Sequence, residues 1–304
     1  MLDRKLIERT AGALLTDESL VEKDWHVVRA IQVIASIPGG TPVFSGGTSL
    51  SKGWGLIRRF SEDVDFKVMA TPGESSSRER KQRSAFRDEI LSALEQADFN
   101  LISVKKGNES RFFTADLSYS SHFEAGAGLR PFIRIEMSFL QPALKPIGRP
   151  IQSFIAQFQK KPPEVPNFLC VDPIETAADK LSALAWRVCT RKRGAEDDDP
   201  TIIRHLYDLA ALEKHVAGTA EFEKLVRQIA EKDSGRGGAG VPTDPKERFA
   251  AMLERLASDR LWASEYESFV LQVSYAKEDE AITFGEAFAA LRRLVASIYG
   301  EEQA

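Results

Sequence analysis

The sequence is short of the residues that staple or metallate a fold. It has two cysteines in 304 residues, Cys170 and Cys189, which excludes a disulfide framework and a paired-cysteine metal knuckle. Both are expected as buried thiols in a reducing compartment. The four histidines, His26, His122, His205 and His215, are scattered and form no His-Glu-x-x-His pair, so nothing points to a zinc hydrolase. Positive charge is not in excess: 41 Lys and Arg against 45 Asp and Glu leave a net charge of −4. A nucleic-acid partner therefore needs a local basic patch. Long apolar runs are missing as well. The roughly 18 consecutive apolar residues of a membrane span occur nowhere, and the N-terminal MLDRKLIERTAGALLTDESL has no apolar signal-peptide core. The expectation is a cytoplasmic protein with no membrane partner. No internal repeat of fixed period is present.

What is present is an ordinary globular mixture, 43% hydrophobic and 28% charged, long enough for one large domain or two modest ones. Residues 4–36 carry a helical pattern, with Val21, Trp25, Val28, Ile31, Ile34 and Ile37 recurring every three or four positions. Pro38-Gly39-Gly40 stops it. TPVFSGG predicts a short buried strand ending at glycines. TSLSKGWGLIRRF begins as helix and is weakened by Gly53 and Gly55, and DVDFKVMA predicts a second strand. The polar segment PGESSSRERKQRS (72–84) is a solvated loop or the beginning of a helix; Phe86, Ile90, Leu91 and Leu94 mark an amphipathic helix after it. NLISVKKGNESRFFTADLSYSS predicts two strands joined by a hairpin at Gly107-Asn108. In RPFIRIEMSFL (130–140), Ile133, Ile135 and Met137 alternate with Arg134, Glu136 and Ser138, a strand with one buried face. Pro-rich connections are expected at 142–150 and 161–166. From VDPIETAADKLSALAWRVCTRK onward the period is helical, broken at 194–200 and in the Gly-rich stretch 233–245. The class is α+β: a mixed unit to about residue 160, then a helical one.

The chemistry concentrates in SGGTSLSKGWGLIRRFSEDVDF, residues 45–66. Alternate side chains on a strand share a face, so Asp63 and Asp65 point the same way. Two carboxylates held together repel unless a proton or cation lies between them. An all-oxygen pair suits Mg²⁺, which takes few protein carboxylates plus substrate phosphates. Upstream, Gly46-Gly47 lets backbone approach a ligand, and N–H groups at the start of the next helix favour an anion. Thr48, Ser49 and Ser51 add hydroxyls. Glu136, alternating against Ile135 and Met137, is the candidate third carboxylate of a two-metal site. Taken singly, these features read as a turn, a solvated strand end and an exposed strand residue. Their order and spacing carry the functional reading.

That order, apolar-Gly-Gly, then Asp-x-Asp between apolar residues, then apolar-Glu-apolar, resembles the nucleotidyltransferase superfamily related to DNA polymerase β. It is carried by Phe44-Ser45-Gly46-Gly47, Asp63-Val64-Asp65-Phe66 and Ile135-Glu136-Met137. Two departures stand out: fifteen residues separate Gly47 from Asp63, and Ser45 intervenes before the glycines. The longer segment GGTSLSKGWGLIRRFSEDVDF, with VEKDWHVVRAI upstream, is similar to the signature of the AbiEii/AbiGii toxin family of nucleotidyltransferases. The resemblance extends over roughly residues 20–212 and includes Lys180 in ETAADKLSALAWR and Asp208 in RHLYDLAAL.

The resemblance implies a polymerase β-like mixed sheet with flanking helices over residues 1–165 and a mainly helical region over 166–304 that contributes Lys180 and Asp208 to the cleft. It implies a Mg²⁺-dependent enzyme, with Mn²⁺ as the alternative ion. The enzyme transfers a nucleoside monophosphate from a nucleoside triphosphate to an acceptor hydroxyl. In the better understood branch of the family the acceptor is the tRNA 3′ end, and the enzyme is a toxin restrained by a separately encoded antitoxin, with a role in phage defence. Asp63, Asp65 and Glu136 are then the metal-binding and catalytic carboxylates, joined by Lys180 and Asp208. Gly46, Gly47, Thr48, Ser49, Lys180 and Arg187 bind the nucleotide. Lys180, Leu184, Arg187 and Arg191 do lie at helical spacings of four, three and four, a basic stripe suited to phosphate. Alternatives stay open. Arg204 and Asp208, four apart, suit a surface ion pair. Glu22, Lys23 and Asp24 suit a charged first helical turn, and residues 191–193 a solvated helix face. Trp25, Trp54 and Trp186 suit packing, and Lys52, Arg58 and Arg59 either contact substrate or cover surface. A nucleotide-binding regulatory protein without turnover, or a transferase for small molecules or proteins, are the competing functions.

Overall fold

A computed structural model of the chain describes residues 2–38, 41–69, 75–107, 110–126, 129–196, 198–238, 240–276 and 280–300. The expected helix stop at Gly39-Gly40, the hairpin tip at Asn108 and the first residues of 72–84 lie outside these. The chain opens with helices α1 (Arg4–Leu14) and α2 (Glu18–Ala35). The helical pattern over 4–36 is broken because Leu15 closes α1 at a φ of 52° and the Asp17 carboxylate caps α2 by accepting from the Ser19 N–H.

Strand β1 (Thr41–Ser45) runs directly into the short helix α3 (Gly46–Lys52), which ends before Gly53 and Gly55. Next come β2 (Asp63–Met69), α4 (Ser76–Gln96), β3 (Asn100–Gly107), β4 (Phe112–Ser118) and β5 (Ile133–Ser138). Ser75 caps α4 by accepting from the Arg78 N–H, so the polar segment resolves into the first turns of a helix. Two strands lie where Pro-rich connections are expected: β6 (Ile147–Ile151) and, after α5 (Phe154–Phe158), β7 (Val165–Cys170). Pro150 is tolerated because β6 is an edge strand.

Among the described residues the strands form one seven-stranded sheet in the order β3-β4-β5-β2-β1-β7-β6. The central pairs β2–β5 and β1–β7 are parallel, and the rest are antiparallel. One face is apolar: Val64, Phe66, Val68, Phe113, Ala115, Leu117, Ile133, Ile135 and Met137 are all buried. Phe44, Phe66 and Phe168 pack across three strands with ring centroids 5.5, 6.0 and 6.3 Å apart. Helix α2 lies against α4 and β7, and α4 against β3.

The remaining helices are α6 (Pro173–Thr190), α7 (Arg204–Val216), α8 (Ala220–Ser234), α9 (Pro245–Ser258), α10 (Leu261–Phe269) and α11 (Phe284–Tyr299). Helix α6 packs against α7, α8 and α9, and α11 against α7. Residues 191–193 follow the end of α6; Lys192 and Arg193 are exposed as expected, whereas the Arg191 side chain is only 6% exposed. Arg191 is held between Asp198 and Glu265, Arg193 between Asp259 and Glu265, and both guanidiniums lie over the Trp262 ring.

The chain divides into two compact units, Met1–Gly55 with Phe60–Asp172, and Leu56–Arg59 with Pro173–Ala304. The first runs past residue 165 because β7 pairs with β1 and β6. The second borrows four residues from the N-terminal half. Cys170 and Cys189 are free and buried. None of the described helices is long and apolar enough to cross a membrane. Phe66→Ala should remove about 3–5 kcal/mol of unfolding free energy, read by urea denaturation followed by far-UV circular dichroism.

Candidate active site

On the polar face of the sheet, strand register builds two rows. Asp63 lies beside Arg134 and then Asp116, and Asp65 beside Glu136 and then Thr114. Ser45 of β1 flanks Asp65 from the other side. The alternation of DVDF and IRIEMS thus puts Asp63, Asp65 and Glu136 on one half-buried face, with the two aspartates two residues apart. Arg134 donates to Asp116 at 2.7 Å. Asp116 is held below the usual carboxylate range, chiefly by that hydrogen bond.

Gly46 is set by this geometry. Its φ is +72°, and a Cβ there would lie 1.9 Å from Asp65 Oδ2, so the Asp65 carboxylate occupies the space a side chain would need. The hydroxyls that follow serve the fold. Thr48 is buried and donates to the carbonyls of Ser61 and Asp63, tying α3 to the start of β2. Ser49 is sealed beside the Cys170 thiol, which burial pushes up to about 11. Any phosphate contact by this segment therefore falls to its backbone N–H groups.

The charged residues upstream are not a solvated turn. Glu22, Lys23 and Asp24 are 1%, 1% and 0% exposed. The Glu22 carboxylate accepts from the N–H groups of His122 and Phe123 and from the Ser121 hydroxyl. The Lys23 ammonium donates to Glu62 Oε1 at 2.8 Å and to the Arg130 carbonyl at 2.7 Å. Asp24 accepts from the Phe154 N–H at 2.7 Å and pairs with Lys52, whose ammonium lies 3.6 Å from the Phe154 ring centroid. Burial pushes the Asp24 carboxyl up, and Lys52 offsets part of that. Burial also opposes ionisation of Glu62, but Lys23 and then Arg130 outweigh it and hold that carboxyl low. Arg130 completes the chain: its N–H donates to Glu62 and its guanidinium lies 2.7 Å from Asp63 Oδ1.

A second cluster stands in the second unit. Asp208 on α7 is fully buried, so a surface pair with Arg204 does not describe it. Arg59 grips it bidentately at 2.8 and 2.7 Å, and Lys180 on α6 reaches it at 2.9 Å. Burial alone would raise its pKa; the charges of Arg59 and Lys180 hold it far below the usual carboxylate range instead. His205 Nδ1 lies 3.4 Å from the Lys180 ammonium. Burial, and next Lys180, push that imidazole well below its ordinary value. Arg187 is half exposed, pairs with Asp199 at 2.9 Å and borders a cavity of about 730 Å³ with Trp186 and Arg191. Arg58 is exposed and pairs with Glu280.

Of the residues singled out in sequence, Asp63, Asp65 and Glu136 share one face next to Gly46, and Lys180 meets Asp208. Lys52, Arg58 and Arg59 part company: one is buried in the first unit, one is exposed, one is buried against Asp208. Sequence reasoning missed Glu62 and Arg130, and it left Lys52 and Arg59 as substrate contacts or surface cover, where both are buried in ion pairs. One signal was readable. Asp24, Val28 and Ile31 are spaced by four and three, which puts a carboxylate on the buried stripe of α2.

The fit to a divalent cation can be judged from the donors. Asp63, Asp65 and Glu136 offer only oxygen, and the Arg130 guanidinium already stands against Asp63 as a positive charge. Among the described residues no three His, Cys, Asp or Glu side chains are gathered closely enough to enclose an ion. An open, all-oxygen arrangement fits a hard ion shared with substrate phosphates, not a closed structural site.

A mixed sheet whose Gly-Gly turn abuts an Asp-x-Asp strand, with a glutamate in register on the next strand, is that of a nucleotidyltransferase. The family model for the AbiEii nucleotidyl transferase toxin, type IV toxin–antitoxin system, matches residues 35–292. The chain belongs to the AbiEii nucleotidyltransferase toxin family. No curated protein sequence matches it. Among solved structures, the MenT4 nucleotidyltransferase toxin of Mycobacterium tuberculosis shares the fold: TM-score 0.58 at 20% identity, covering 100% of this chain and 91% of that one.

Two outcomes follow from the geometry. Gly46→Ala should cost about 1–2 kcal/mol of stability through its left-handed backbone. By displacing the Asp65 carboxylate it should also lower nucleotide transfer about a hundredfold, with the circular dichroism spectrum unchanged. Asp208, with its folded pKa depressed, contributes stability that is complete above its unfolded value of about 3.9 and drains away as pH falls toward the folded value. The gap in unfolding free energy between wild type and Asp208→Asn should therefore narrow by about 1 kcal/mol from pH 5 to pH 3, measured by urea titration.

Proposed function

We propose that the protein is a Mg²⁺-dependent toxin that transfers a nucleoside monophosphate from a nucleoside triphosphate to the 3′-hydroxyl of tRNA. The register that sets Glu136 beside Asp65, two residues from Asp63, carries this reading. A divalent ion held by these carboxylates supplies charge neutralisation for the triphosphate and the leaving pyrophosphate. The acceptor oxygen bonds to the α-phosphorus as the bond to pyrophosphate breaks, and Glu136 takes the hydroxyl proton. The backbone of Gly46, Gly47, Thr48 and Ser49 lies against the phosphates. Lys180 binds the triphosphate, and Asp208, fixed by Arg59, aims the Lys180 ammonium. Arg187 adds a phosphate contact.

The family supports a separately encoded antitoxin and a triphosphate substrate. A role in phage defence, action in the cytoplasm and the tRNA acceptor belong to the proposal. MenT4, whose fold the chain shares, is itself a nucleotidyltransferase toxin. Purified protein with Mg²⁺, total RNA and each labelled nucleoside triphosphate should label tRNA 3′ ends, and Asp63→Asn should reduce labelling at least about a hundredfold. Label on another RNA, or on none, would sink the tRNA assignment. Full activity in Asp63→Asn would sink the site.

A further inference from the structure

We propose that Arg130 changes partners during the reaction: it holds Asp63 before the metal arrives and passes to the substrate triphosphate once the metal sits on Asp63. This rests on the metal reading of Asp63 given above. The guanidinium Nη2 lies 2.7 Å from Asp63 Oδ1, on the same carboxylate a divalent ion needs. Two cations on one carboxylate oxygen repel strongly, so an ion that takes Oδ1 of Asp63 displaces the guanidinium from it.

The residue is built to release its head and keep its root. Its backbone is fixed from both sides: the Lys23 ammonium donates to its carbonyl, and its N–H donates to Glu62. The side chains of Lys23 and Glu62 are 1% and 5% exposed, so this anchor has no solvent to exchange with. The Arg130 side chain is 30% exposed and can rotate about a fixed Cα. The groups around it are Glu62, Asp63, Lys23, Asp116 and the Phe132 ring, whose centroid is 5.6 Å from the guanidinium carbon. Glu62 is the fallback at 3.6 Å. It is already bonded by Lys23, whereas a metal on Asp63 brings phosphate oxygens to the same spot. A guanidinium fork meets two phosphate oxygens at once. Displaced from Asp63, Arg130 therefore becomes a ligand of the triphosphate.

The two halves predict opposite effects of one substitution. In electron paramagnetic resonance titrations of the full chain, Arg130→Gln should bind Mn²⁺ about tenfold tighter than wild type, because a competing cation is gone. At saturating Mn²⁺, calorimetry should show it binding inorganic tripolyphosphate about tenfold more weakly, the loss of one charge-assisted contact. A merely structural role would weaken both. Unchanged Mn²⁺ affinity, or unchanged tripolyphosphate affinity with Arg130 falling back on Glu62, overturns the exchange. Asp63→Asn separates the two readings. If wild type binds Mn²⁺ only when Asp63 is intact and Arg130→Gln changes nothing, this inference alone falls. If Mn²⁺ binding ignores Asp63, both fall. Should Arg130→Gln not fold, Arg130→Lys keeps the charge without the fork. It should hold Mn²⁺ like wild type and tripolyphosphate several-fold more weakly, and wild-type tripolyphosphate affinity in that variant refutes the proposal.

Discussion

Three consecutive charged side chains without solvent set the terms for the first unit. Glu22, Lys23 and Asp24 point in different directions from one helix and are all buried. An unpaired buried charge costs several kcal/mol, so each must find its partner before the fold can close. Glu22 orders residues 121–123, Lys23 joins the start of β2 to residue 130, and Asp24 joins α3 to α5. The pieces tied down are those around the candidate site: the glycine turn, Asp63 and Arg130. Replacing one partner leaves the other uncompensated, which is why such a cluster specifies one arrangement of its loops.

The sheet supplies the complementary constraint. Register on the β2–β5 ladder is pinned by the buried row Val64, Phe66, Ile135 and Met137, since a slip of one residue would turn that row outward. The same pinning fixes Asp63, Asp65 and Glu136 on the opposite face. Gly46 then closes the arrangement, because the Asp65 carboxylate fills the volume of a missing Cβ.

These two constraints explain what the sequence made legible. Period-two alternation in DVDF and IRIEMS is a local signal, and it located the strands and the shared face of the carboxylates. Strands β6 and β7 were read as connections because Pro150 and Pro166 are strong local breakers. Only their places in the sheet, an edge and its neighbour, make them strands. The partner of Asp208 was beyond local reading. Arg59 lies 149 residues away, in a segment that belongs to the second unit although it sits between two elements of the first. Spacing arguments see three or four residues ahead, so they offered Arg204 in its place. The hydroxyls of Thr48 and Ser49 were legible as donors, but not their direction, which depends on the carbonyls of Ser61 and Asp63 and on Cys170.

Burial decides which ion pair can exchange its partner. Asp208 is held by Arg59 and Lys180 with no exposure. Releasing Arg59 would strand two charges away from water, so that pair is permanent and its work is to fix the position of Lys180. Asp63 is 37% exposed and its arginine 30%. There the bond can be given up at the small cost typical of surface pairs, provided another charge arrives. Both carboxylates answer to an arginine at the same distance of 2.7 Å, and distance alone does not distinguish them. Solvent does: the sealed pair is architecture, and the open one is available for chemistry.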